Sequence, residues 1–243
     1  MIAMINVFKK YLLLLLIFIF TSTAETSPNI YDATYSLQKN GIEFAHSKHS
    51  SKYNADSDEW CLKIDSYTVG IFSIKKDNQS ETSCFYYDKK KHLEIENKKS
   101  LVNNFVKKNN YTFTRISSDK NQFIEIRRIN NLLVTSKNGK TTKHSVDVNI
   151  DRLVAQSFGY VFTKVLVNDK GREREYKFKI LGKDTISSPF GLTEVLVVKK
   201  TIGQSKRSTI TWYSIENNYI PIMIEQYRLD KLMVTAKLIR LEQ

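Results

Sequence analysis

The sequence predicts a mainly β (α+β) protein, built as a curved antiparallel sheet or incomplete β-barrel with one amphipathic helix near residues 151–165. Three observations predict it. Apolar and polar residues alternate in many short runs, as strands with one buried face require. Turn dipeptides such as Asn40-Gly41 and Asn138-Gly139 follow or precede these runs and accept the positive φ angles of tight hairpins. A single stretch, Asp151 to Val165, changes to a spacing of three or four residues.

The first strand covers Ile30 to Gln38, with Tyr31, Ala33, Tyr35 and Leu37 on one face and Asp32, Thr34, Ser36 and Gln38 on the other. Asn40-Gly41 turns the chain, and Ile42 to Ala45 begins the return. Trp60, Leu62 and Ile64 keep the two-residue rhythm. Lys75 to Lys99 is polar and lysine-rich, with brief strand-like pieces at Cys84 to Tyr87 and His92 to Ile95. The rhythm resumes at Tyr111, Phe113 and Arg115, then Ile124 and Ile126, and after Asn138-Gly139 at Val146, Val148 and Ile150.

In the helical stretch Leu153, Val154, Ser157, Phe158, Val161, Phe162 and Val165 share one face, and Asn149 or Asp151 supplies the cap. Gly159 inside it costs about 1 kcal/mol relative to Ala. Strands return at Tyr176, Phe178 and Ile180, at Leu192 to Lys199, Ile210 to Ile215, Tyr219 to Tyr227 and Leu232 to Leu241. Their turns fall at Asp169-Lys170-Gly171, Ser188 to Gly191, Glu216 to Asn218 and Leu229 to Lys231. Such short connections require antiparallel neighbours.

Residues 1–24 read as a secretory signal peptide. Lys9 and Lys10 precede the apolar run Tyr11 to Phe20, and Thr21-Ser22-Thr23-Ala24 closes it, placing cleavage between Ala24 and Glu25. A retained membrane anchor is the alternative reading, but a span needs about 20 apolar residues. No transmembrane anchor is expected after cleavage, and no cysteine at the cleavage site offers lipid attachment. Cleavage of 24 from 243 residues leaves 219, expected as a single β-rich exported domain, 25–243, in the periplasm.

The formal charge is +13, falling to +11 when Lys9 and Lys10 are removed with a segment that holds no acid. In an exported protein this basicity points to anionic envelope surfaces and to solubility, and not to nucleic acid. Cys61 and Cys84 in an oxidising compartment suggest one disulfide. Two separate buried thiols and a catalytic or metal role are the alternatives, and the spacing matches neither a redox CxxC nor a zinc pattern.

Several segments together resemble a known group. Ile150-Asp151-Arg152-Leu153-Val154-Ala155-Gln156 opens a helix, Tyr176 to Phe178 forms a Tyr-Lys-Phe strand, and Ser188-Pro189-Phe190-Gly191 precedes another. Trp212 and Tyr219-Ile220-Pro221-Ile222 follow, and Tyr35-Ser36-Leu37 with Gly41 to Ala45 opens the chain. This order is similar to the exported bacterial family called domain of unknown function 3108. The resemblance implies an envelope protein of curved antiparallel sheet and brings no activity with it. Cys61 to Lys108 departs from the family pattern and is read as an insertion, and the family usually lacks the cysteine pair.

No nucleophile elbow, P-loop, dinucleotide fingerprint or H-E-x-x-H motif is present. His46 and His49 lie three apart near Glu43, Asp56 and Asp58. On a strand they would face opposite sides, and the expectation is surface histidines in a polar loop. Glu173, Glu175, Glu194 and Glu225 stand beside lysines, as solvated cross-strand pairs do. No catalytic residue, metal site or cofactor is expected. The aromatic residues suggest a non-enzymatic binder or carrier of a lipid or other amphipathic envelope component, with Trp212, Tyr219 and Tyr227 as candidate contacts. A basic scaffold docking on an anionic envelope surface is the second expectation.

Overall fold

The computed structural model describes residues 28–87, 106–118, 121–129, 132–137, 140–144 and 150–242. The segment 1–24, Glu25, His92 and the Asn138-Gly139 pair lie outside these residues. Among the described residues fifteen strands form one sheet. In chain order they are β1 (Tyr31–Lys39), β2 (Ile42–Asn54), β3 (Glu59–Thr68), β4 (Asp77–Tyr87), β5 (Val106–Ser117), β6 (Asn121–Ile129), β7 (Leu132–Lys137) and β8 (Lys140–His144). Then follow β9 (Ile150–Asp151), β10 (Lys164–Asn168), β11 (Glu173–Ser188), β12 (Gly191–Ile202), β13 (Arg207–Ser214), β14 (Pro221–Arg228) and β15 (Lys231–Glu242). Helix α1 (Arg152–Ser157) joins β9 to β10.

The spatial order runs from β8 down to β1, then from β15 down to β9. The antiparallel pairing of β1 with β15 therefore splices two meanders into one sheet. Among the described residues only β9 and β10 are parallel, and the intervening helix provides the long connection that parallel neighbours need. The edge strands β8 and β9 do not pair with each other, so the sheet is unclosed. It is strongly curled all the same, because β9 returns against β5.

Local chemistry explains the hairpins. Asn40 and Gly41 have φ of 52° and 78°, and Leu229 and Asp230 have 52° and 59°, so both two-residue turns use the left-handed geometry that suits strand twist. Pro221 has no N–H to give and occupies the first position of β14, a strand end in the sheet interior.

Alternation then sorts side chains by face. Tyr35, Ser47, Ser66, Gln79 and Arg115 are register partners across β1 to β5. The next row inward is Ala33, His49, Ile64, Glu81, Phe113 and Ile124. These rows face the concave side. Cys61 and Cys84 are direct partners on the convex side, joined by a disulfide with Cα atoms 4.1 Å apart.

The largest apolar cluster unites Leu62 of β3 and Phe85 of β4 with Leu153, Val154 and Ala155 of α1. Ile150, Phe158, Phe162, Val165, Val167 and Tyr176 complete it. A second cluster holds Tyr35, Val195, Val197, Ile222 and Leu238, with Trp212 partly buried against it.

Two sequence expectations are corrected by the structure. The helix ends at Ser157, and Val165 belongs to β10. Tyr213 donates its hydroxyl to the Gln156 carbonyl at 2.7 Å, satisfying a helix-end acceptor. Immediately beyond, Gly159 leaves so little room that a Cβ would lie 2.8 Å from both Phe178 and the Tyr213 hydroxyl. The apolar spacing through Val165 thus records burial in one cluster by a helix, a turn and a strand in succession. Second, β2 continues through Asn54, so His46 and His49 stand on a strand and not in a loop. Cys61 to Tyr87 supplies most of β3 and all of β4 within the sheet.

Candidate functional site

The concave side holds more charge than a sheet core usually tolerates. Glu81, only 4% exposed, sits on β4 with Phe113 beside it across the β5 pairing. It accepts a hydrogen bond from the Tyr111 hydroxyl at 2.8 Å and an ion pair from Arg152 at the start of α1. Arg152 Nε lies 3.8 Å from the Asp169 carboxylate and has no hydrogen-bond acceptor of its own. Arg174 Nε approaches the other Asp169 oxygen at 3.0 Å.

The turn between β10 and β11 brings Asp169 here. Lys170 and Gly171 adopt φ of 54° and 79°, and the Gly171 amide donates to the Asn168 side chain at 2.8 Å. The turn leans across the sheet, so that Lys170 Nζ rests 3.2 Å from the centre of the Phe113 ring. Burial, with Arg152 nearby, pulls the Lys170 amine down to about 7. Lys200, 8% exposed and 4.9 Å from the Tyr176 ring, is pulled down to about 8 for the same two reasons.

Between this polar cluster and the strands of β1, β14 and β15 lies a cavity of about 200 Å³. Its apolar wall is Leu37, Ile64, Phe113, Ile224 and Ala236, and its polar wall includes His49, Glu81, Arg152 and Gln156. Leu37, Ser66, Gln79 and Gln226 line it while standing two residues inside the ends of β1, β3, β4 and β14. The cavity therefore sits roughly 7 Å below that rim of the sheet. The lower half of the concave side is filled by α1 and its cluster.

One pair in the cavity has the reach of a nucleophile and its base. His49 Nε2 lies 3.1 Å from Ser47 Oγ, which shares a 2.8 Å hydrogen bond with Ser66. Burial first, and Arg152 second, push the imidazole down to about 3. An imidazole so reluctant to take a proton is a poor general base. His46, on the opposite face, is 3.2 Å from Glu43. Among the described residues no group of three or more His, Cys, Asp or Glu is placed to hold a metal ion.

The aromatic residues singled out from the sequence are not gathered into one place. Trp212 packs at one end of the β13–β14 pair, whereas Tyr227, near the other end, donates its hydroxyl to Glu225. Tyr219 stacks on Tyr160 with ring centres 4.4 Å apart. The carboxylates behave as solvated strand pairs: Glu175 meets Lys164 at 2.7 Å and Lys177 at 3.4 Å, and Glu194 meets Lys183 at 3.0 Å. Glu81 was missed because β4 begins with seven polar residues and shows no apolar rhythm, and Arg152 because its partner lies 71 residues away in the chain. Counting back in twos from Phe85 would have placed Glu81 on the buried face.

A curled, unclosed antiparallel sheet with a helix packed into its concave side defines the structural class. The chain belongs to the family described as "Protein of unknown function (DUF3108)", whose model matches residues 31–235. Two solved structures are similar to it. One is a protein inferred to be exported, of YmcC-like fold, from Bacteroides fragilis NCTC 9343, with 10% identity, 89% of this chain and 97% of that chain covered, and a TM-score of 0.35. The other is a protein inferred to be a lipoprotein, from Parabacteroides distasonis ATCC 8503, with 11% identity, 88% and 96% covered, and a TM-score of 0.37. No curated protein matches the chain. Among the described residues no helix is long and apolar enough to cross a membrane.

Proposed function

We propose that the protein is exported to the periplasm and there binds or carries a small amphipathic component of the cell envelope, without catalysing a reaction on it. The observation that carries this reading is the cavity of about 200 Å³ with one apolar and one polar wall. Such a volume is below that of drug-sized pockets, about 300–1,000 Å³. It suits a short acyl segment or a compact head group and not a whole phospholipid. Arg152, which lines the cavity with a partly exposed guanidinium, is the group to receive the polar end. Leu37, Ile64, Phe113 and Ile224 would take the apolar end, ahead of Trp212, Tyr219 and Tyr227. Export rests on the tripartite pattern of residues 1–24.

Titration with a fluorescent medium-chain fatty acid tests the reading. Saturable binding that weakens at least about fivefold in Arg152→Gln is expected, since a charge-assisted hydrogen bond contributes roughly 1.5–3 kcal/mol. Absence of saturable binding to this probe and to a lysophospholipid would contradict it.

A further inference from the structure

We propose that the rim of the sheet above the cavity docks on an anionic phospholipid bilayer. The inference goes beyond ligand binding and stands whether or not the cavity holds a ligand. Three turns meet along this rim, because β4, β3, β2, β1, β15 and β14 are successive neighbours. They are the β1–β2 turn, the β3–β4 connection and the β14–β15 turn.

Each turn lifts apolar side chains into water. Ile71 is 77% exposed and Ile74 is 87% exposed on the short 3-10 turn Gly70–Ile74, while Ile42 and Leu229 are each 61% exposed on the neighbouring turns. The 3-10 segment is tied down and not a loose tip. The Val69 amide donates to the Phe44 carbonyl at 3.0 Å, the Ser118 amide to the Lys76 carbonyl at 3.2 Å, and the Phe44 and Phe72 rings meet edge-on at 6.4 Å.

Exposed cations surround these tips. Lys39, Lys75, Lys76, Lys206, Arg228 and Lys231 all lie at this rim. The acids among them are Glu43, Asp77 and Asp230, and Asp77 is already held by Arg115 at 2.5 Å. Apolar tips bracketed by lysines complement a surface that is negative outside and hydrocarbon within: the side chains enter the acyl boundary while the ammonium groups remain among anionic head groups. A protein partner would need a matching acidic apolar surface, and a second copy would bring the same positive charge against this rim.

The test uses the full chain with vesicles of phosphatidylglycerol and phosphatidylcholine, against phosphatidylcholine alone. Preferential binding to the anionic vesicles, weakened by salt, is expected. Ile71→Ser with Ile74→Ser, and separately Lys75→Glu with Lys76→Glu, should each lower the partition coefficient about tenfold or more. In Ile71→Trp, brominated lipid should quench the new fluorescence. In Leu192→Trp, at the opposite rim and 82% exposed in the native chain, it should not. All variants carry the same first 24 residues, so that segment cannot produce the difference. Equal partition of the rim variants and the native chain, quenching at 192 in place of 71, or rim-dependent self-association without vesicle binding would each overturn the proposal. Ala236→Phe, which alters the cavity wall, should leave vesicle binding unchanged.

Discussion

Arg152 and Glu81 are separated by 71 residues in the chain and joined by an ion pair on the concave side of the sheet. The pair ties the start of α1 to β4, across a side of the molecule that the unclosed sheet does not seal by strand pairing. Removing one partner leaves the other charge poorly compensated. Arg152→Met should cost about 2–4 kcal/mol in urea unfolding, and pairing it with Glu81→Leu should restore most of the loss. Equal loss in the single and double variants would show that the pair contributes nothing specific.

Gly159 gives a prediction opposite in sign to its helix propensity. Replacing a helical glycine by alanine ordinarily stabilises by up to about 1 kcal/mol. Here the added Cβ would press on Phe178 and on Tyr213, the residue that satisfies the Gln156 carbonyl. Gly159→Ala should destabilise by about 1–3 kcal/mol, measured as a lower urea midpoint at unchanged slope.

The Cys61 to Cys84 link closes a loop of 24 residues, counting both ends, on the convex face. Reduction, or Cys61→Ala with Cys84→Ala, should lower stability by about 3 kcal/mol while the far-ultraviolet circular dichroism stays unchanged. The pairing of β3 with β4 survives because Trp60 with Phe85 and Leu62 with Ser83 remain in register.

Stability should rise with pH from acid to about pH 9. His49 holds its proton only below about 3 when folded, against an ordinary 6.5, so the unfolded chain binds the extra proton between those values and folding gains as pH climbs through them. Lys170 and Lys200, pulled to about 7 and about 8 from 10.5, act in the same direction above neutrality. Buried tyrosines reverse the trend above about 10: Tyr31 is pushed up to about 12, and the folded state then holds the extra proton. Lys200→Met should raise the melting temperature by about 2–6 °C at pH 7 and flatten the alkaline rise. A melting temperature independent of pH between 4 and 9 would refute this assignment.

Most of the sheet was legible because its strands obey a period of two. Tyr31 to Leu37, Trp60 to Ile64 and Tyr111 to Phe113 all point where that rhythm places them, and Asn40-Gly41 turns as its φ preferences dictate. The charged cluster was not legible. Glu81 lies in a wholly polar stretch, and Asp169 lies in a turn whose sequence resembles any solvated turn. Their burial follows from curvature, which brings β9 back against β5 and the turn after β10 over Phe113, and curvature is a property of pairing across the whole chain. The short helix was misjudged for a related reason, because packing against Phe178 and Tyr213 ends it where periodicity continues.

If the concave cavity holds an amphipathic molecule as proposed, that molecule should travel with the folded protein. Native mass spectrometry of the protein taken from its own exported compartment tests it most directly. A mass above that of the polypeptide, lost on unfolding and absent in Ala236→Phe, is expected. A bare polypeptide mass in the native protein, or the same adduct retained by Ala236→Phe, would contradict it.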